Sequence, residues 1–400
     1  MRRRWRIIFY LLLIFINFTP QVMARELSGE GSRPVFLLDE EIRRQLGELD
    51  LGGVEDFLQH LDREVGQYLP RLDLRQTVLA LARGEFSLSP AGILQGLLRY
   101  FFHEVWANLA LLGQLIVLAV VCALLTNLQA AFEKGTVGQL ARGVAFLALS
   151  AIALTSFHVA LRSGSEAIER MVSFLQAMVP LQAVLLAAVG SFSSAAILQP
   201  VLLVAVSVLS TVTRTTIFPV LYFAAVLGVV SQLSDRFQVS KLADLLRQAT
   251  VALLGLMLTV FIGVLTVYGV AGSVADGVGL RAAEFATAVF IPAIGKILSD
   301  AVGVVAGTTL LIKNGVGLVG AMGILALTAL PALKILALVA VYKIAAALVQ
   351  PFGESGTVEV LNGMGNALVL IFACVTSVGL MFFMAIALLV ALGNLTLALR

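Results

Sequence analysis

Charge is scarce in this chain: only 13% of its 400 residues are Asp, Glu, Lys or Arg, while 60% are hydrophobic. Soluble domains carry about 25% charged residues, so lipid is the expected solvent. Cysteine is nearly absent too. Cys122 and Cys374 stand far apart in apolar runs and read as buried free thiols, without the spacing of a disulfide framework or a metal site. The three histidines, His60, His103 and His158, have no partner at ligand spacing. There is no phosphate loop, no His-Glu-x-x-His, no Gly-x-Ser-x-Gly elbow and no dinucleotide fingerprint. Neither an enzyme nor a bound cofactor or metal is expected, and any active transport must draw on another subunit or an ion gradient. The net charge of +3 gives nucleic-acid binding no support, because Arg2, Arg3, Arg4 and Arg6 supply the excess at one end.

Those four arginines precede an apolar stretch, Ile7 to Phe18, and the small-residue site Val22-Met23-Ala24. The pattern predicts a signal peptide over 1–24, cleaved after Ala24. Residues 25–105 turn soluble in composition, with apolar residues at helical spacing in two stripes (Leu58, Leu61, Val65, Tyr68 and Leu69; Val78, Leu79, Leu81 and Ala82) and with Pro70 and Pro90 as breaks. They predict a small extracytoplasmic helical domain, short enough to lean on the membrane domain or a partner. The remainder, 106–400, predicts a polytopic transmembrane domain of about 8–10 membrane segments. Ten apolar stretches are visible: 107–128, 143–161, 171–190, 195–213, 216–233, 249–271, 283–301, 302–325, 328–349 and 366–393. The expected fold is therefore all-α, a polytopic helical membrane protein behind a small helical domain. The connection 234–248, with Arg236, Lys241 and Arg247, suits a cytoplasmic side.

A shift of 112 residues lays Pro180 on Pro292, Pro219 on Pro331, Leu221 on Leu333 and Ala225 on Ala337. This outlines a weak repeat with units near 129–240 and 241–352. If every segment crosses, the halves run parallel; if the Pro180 and Pro292 segments do not, the halves are inverted. The four prolines are candidate helix breaks, since each lacks an N–H and crowds the preceding turn.

A charge in a membrane span costs at least about 2.5–3.5 kcal/mol and faces a bundle interior, a cavity or a partner. Lys296, Asp300, Lys313, Lys334 and Lys343 are the candidates for a polar pathway or for partner contacts, with snorkelling to an interface as the plainer alternative. Lys296 and Asp300, at i and i+4, suit an ion pair on one helix face. Lys334 and Lys343, nine residues apart, lie on opposite faces.

Five runs carry a resemblance: Leu125 to Glu133, Glu166 to Pro180, Val239 to Gln248, Leu310 to Gly320 (Leu-Leu-Ile-Lys-Asn-Gly-Val-Gly-Leu-Val-Gly) and Pro331 to Leu338. In this order the chain resembles the stage III sporulation protein AE family of endospore-forming bacteria. The resemblance implies a membrane subunit of a channel-like, secretion-like complex linking mother cell and forespore, placed on the mother-cell side in the outer forespore membrane. It implies as partners the other proteins of that complex, including a separate cytoplasmic ATPase and ring-forming proteins between the membranes, besides membrane lipid. It brings no catalytic or ligand residues. A translocating core, an assembly platform without its own conduit, and an ion-coupled transporter all remain open at this point.

Overall fold

The computed structural model describes residues 35–49, 51–68, 73–83, 85–86, 89–131, 136–232, 239–290, 295–352 and 355–398. The expected signal peptide with its cleavage site at Ala24, and Pro292, lie outside the described residues, as do the side chains of Lys296 and Asp300. The chain falls into two compact units, Met1–Glu41 and Ile42–Arg400. Of the first, only the opening of a helix is described; the second holds the rest of that helix and all the other described elements.

Helices are the only regular elements among the described residues. The front of the chain forms α1 (Val35–Glu48), α2 (Gly52–Val65), α3 (Leu74–Ala82) and α4 (Pro90–Ala107). Each is short because punctuation is dense. Asp73 caps α3 by accepting from Gln76 N–H at 3.0 Å, and Ser89 caps α4 by accepting from Gly92 N–H at 3.2 Å, with Pro90 in the first turn. Of the expected stripe, Leu58 and Leu61 are buried in α2 and Tyr68, past the helix end, is half-buried; Leu69 and the side chain of Val65 lie outside the described residues.

Behind them come α5 (Leu109–Ala131), α6 (Thr136–Ala188), α7 (Phe192–Val212), α8 (Phe218–Val230), α9 (Ser240–Phe290), α10 (Gly295–Val349) and α11 (Ser355–Ala398). A π-helical turn, Thr213–Ile217, joins α7 to α8 without interrupting the helix. Among the described residues, six continuous helical runs are long and apolar enough to cross a membrane: Leu109–Asn127, Leu140–Ala188, Phe192–Val230, Ser240–Val278, Gly307–Phe352 and Gly356–Leu392.

The apolar stretches of the sequence therefore join in pairs. Stretches 143–161 and 171–190 fall in α6, and 302–325 and 328–349 in α10. The polar residues between the α6 pair, Arg162 to Arg170, favour helix. Arg162 Nε donates to Glu166 Oε1 at 2.8 Å, one turn on. With 53 residues, α6 extends roughly 80 Å at 1.5 Å per residue.

Two of the candidate breaks do not break their helices. Pro180 lies inside α6 and Pro331 inside α10, and both helices run on through them. Pro219 follows the π turn directly, where Phe218 N–H reaches back five residues to Thr213 O. The wider turn makes room where the proline ring crowds the backbone before it. The sharp reversal comes instead at Gly190, whose φ of 99° ends α6. Gly190 N–H donates to Ala187 O at 2.8 Å and Ser191 N–H to Leu186 O at 3.1 Å, the left-handed close that glycine allows at least strain.

The core lies where α10 and α11 run along one another against α6. Ile312, Val316, Val319 and Ile335 of α10 and Val375, Val378 and Phe382 of α11 are fully buried. Backbones approach closely there: a methyl group at Gly379 would overlap Thr328. The front helices dock on one end of this core. Phe57 of α2 lies 5.0 Å, ring to ring, from Phe174 of α6, and Val78 of α3 packs onto Gly315 of α10.

Candidate functional site

Helical spacing on α10 sends Lys313, Gly317 and Gly320 toward α6 and α11, the most enclosed part of the fold. Lys313 is 0% exposed, and its Nζ donates to the Val390 carbonyl of α11 at 2.7 Å. Gln182, 1% exposed on α6, donates its Nε2 to the Lys313 carbonyl at 3.2 Å. Gly317, one turn on, lets this happen, because a methyl group there would overlap Val390 and come within 3.3 Å of Gln182 Nε2. No described carboxylate pairs with Lys313. Two amide oxygens beside it, Gln182 Oε1 and Asn314 Oδ1, are buried without a hydrogen-bond partner among the described residues.

Such a seam opposes stability: each unsatisfied polar atom costs about 1–3 kcal/mol, and a buried ammonium without a counter-ion costs more. An arrangement of this kind can bind water, relay a proton or line a path when the helices part. It is concentrated where three helices meet and where the rest of the lining is apolar.

A second polar node joins α10 to α11 nearer the other end. Lys343 Nζ donates to Asn366 Oδ1 at 2.8 Å and Asn362 Oδ1 at 3.2 Å, with the Asn362 carbonyl at 3.5 Å. Lys334 lies on the opposite face, exposed, and close enough to Glu166 of α6 for their charges to interact. The five charged candidates thus do not form one site. Lys313 and Lys343 occupy separate inter-helix positions, and Lys334 faces outward.

Two further groups had no place among the sequence candidates. Asp276 of α9 is 3% exposed, and its Oδ1 accepts from Ser193 N–H at 2.8 Å and Ser194 N–H at 3.3 Å. A carboxylate thereby closes the N-terminus of α7 from a distant helix, where free N–H groups and the helix dipole favour negative charge. The signal was available as a lone acid in an otherwise uncharged run. Arg214 of the π turn reaches α6, donating its Nε to Ser165 Oγ at 3.0 Å and pairing with Glu169 at 3.2 Å.

No solved structure matches the chain. It is similar to "Stage III sporulation protein AE" of Bacillus subtilis (strain 168), 36% identical over 357 residues, covering 89% of each chain. The family model described as stage III sporulation protein AE matches residues 72–393. That span takes in the polar seam, the π turn and all six long apolar runs, and so the chain belongs to the stage III sporulation protein AE family.

Proposed function

We propose that this multi-pass membrane protein of sporulation is the translocating core of a complex joining mother cell and forespore. It sits on the mother-cell side, in the outer forespore membrane. A separate cytoplasmic ATPase supplies the work, and ring-forming proteins between the membranes continue the path; the chain performs no catalysis of its own. The observation that carries this reading is the seam of Lys313 and Gln182, buried between α6, α10 and α11 with Gln182 Oε1 unsatisfied, next to Asn314, whose Oδ1 is buried and unsatisfied too. Polarity that opposes stability in an apolar core is retained where function uses it.

The test is Lys313→Met at the native locus, with three readouts: heat-resistant spores, the amount of protein in the membrane, and recovery of its partners. Loss of spores with protein level and partner recovery intact supports a conduit. Normal sporulation would sink it.

One observation favours a second reading, the assembly platform. Arg162 and Glu166 present charge on the outside of α6 with side chains 75% and 48% exposed, where a partner rather than an internal path can reach them. In that case, reversing these charges abolishes partner recovery, while Lys313→Met is silent.

A further inference from the structure

The long helices exceed what a bilayer can cover. A hydrocarbon core of about 30 Å takes roughly 20 helical residues, whereas α6 has 53 and α10 has 55. Both ends of α6 cannot be in lipid, and charge marks where lipid stops.

Arg162, Glu166, Glu169 and Arg170 interrupt α6 at mid-length, all exposed. Arg214 meets them from the π turn through Glu169, and Lys334 of α10 approaches Glu166. Three long helical runs thus place charge at one level, a belt about the bundle.

On two of these runs, the stretch from the belt toward the helix ends has the length of a bilayer; on α10, Lys343 lies nine residues past Lys334, its ammonium held by Asn362 and Asn366. Arg142 and Arg162 stand 20 residues apart on α6 with no Asp, Glu, Lys or Arg between them, about 30 Å of helix. From Arg214 to Gln232 there are 18 residues, none charged, about 27 Å.

The opposite half of the bundle is as apolar, and Phe192, Val204 and Val270 are exposed on it, but its α6 and α10 meet the front helices. Phe174 lies beyond the belt on α6 and Gly315 beyond it on α10, and there they meet Phe57 and Val78 of the front helices. The same front helices carry exposed ions, among them Arg44, Glu48 and Arg75. Hydrocarbon around that half would have to accept them at the cost that membranes impose on charge.

We infer that the bilayer occupies only the half of the bundle between the charged belt and the helix ends at Ala131, Val230 and Val349. The other half of α6, α7, α9, α10 and α11, with the Lys313 seam, stands beyond the membrane as a helical stem on the side of the front helices, so that the path proposed above runs on through this stem. Six crossings result, formed by α5, the first part of α6, α8, the start of α9, the end of α10 and the start of α11. The α6–α7 turn at Gly190 stands about 40 Å beyond Arg162.

Depth-resolved fluorescence tests this in the purified full chain, reconstituted in vesicles of phosphatidylcholine with brominated acyl chains. Phe192 and Phe223 are both exposed, at 68% and 62%, and lie on opposite sides of the belt. With Trp5→Phe and Trp106→Phe as background, Phe223→Trp is expected to lose most of its emission and Phe192→Trp almost none. Comparable quenching at both positions overturns the inference, as does the reverse order. Should either variant fail to fold, Leu147→Trp and Val204→Trp, exposed at 54% and 63% on the same two sides of the belt, take their place in the same background. Quenching at the first and almost none at the second supports the boundary, and comparable quenching or the reverse order refutes it.

Discussion

The Lys313 ammonium and the Val390 carbonyl, 2.7 Å apart, tie α10 to α11 through a backbone oxygen rather than an acid. A carbonyl has a second lone pair to give, so the bond forms without unmaking the α11 ladder, yet it leaves the positive charge uncompensated. Lys313→Met keeps the volume and removes the charge. Thermal unfolding in detergent, followed by the reactivity of the buried thiols Cys122 and Cys374, should stay level or move up. Lys313→Ala should cost about 2–3 kcal/mol through the cavity it leaves. A large loss in the Met variant would make the ammonium a structural clamp.

Asp276 is expected to act as a cap supplied in trans by another helix. Asp276→Ala should lower stability by about 1–2 kcal/mol and Asp276→Asn by less, since the amide oxygen still accepts from Ser193 while the charge on the helix dipole is gone. Equal losses in the two variants would mean that packing, not capping, is what the residue provides.

The contact of Gly379 with Thr328 offers a test of the α10–α11 seam by size alone. Gly379→Ala should destabilise by about 1–3 kcal/mol, and Thr328→Ala should recover part of that loss in the double variant. Strict additivity would show that the helices do not approach this closely.

Glu169 pairs with Arg214 at the surface. Because exposed ion pairs contribute little, Glu169→Gln should change unfolding by less than about 1 kcal/mol. Should sporulation nevertheless fail while the protein accumulates, with partner recovery lost, the outer charges are a recruitment site and the platform reading gains.

Much of this was legible in the sequence because membrane helices announce themselves by composition. The burial of Leu58 and Leu61 and the opposite placement of Lys334 and Lys343 follow from spacing. The extent of the helices was less visible. Apolarity does not distinguish two spans from one rod, and Arg162 to Arg170 reads as a connection until Arg162 and Glu166 are seen to pair along the helix. Prolines at 180 and 331 suggested breaks that the enclosing helices override, whereas Gly190, one glycine among 35, makes the turn. At the polar seam Lys313 stood out as a charge in an apolar run. Its acceptor is a main-chain oxygen, which leaves no mark on residue identity, and Gln182 meets it only through packing across 131 positions.

The uninterrupted course of α6 has a mechanical consequence. A rod of about 80 Å that rocks by about 10° within its surroundings carries its far tip some 14 Å sideways, with no bond along it broken. Small rearrangements at one end can thus be felt as large strokes at the other, and α10, equally long, can move in step or in opposition. The distance between the two tips is then the quantity that such a pair of levers sets.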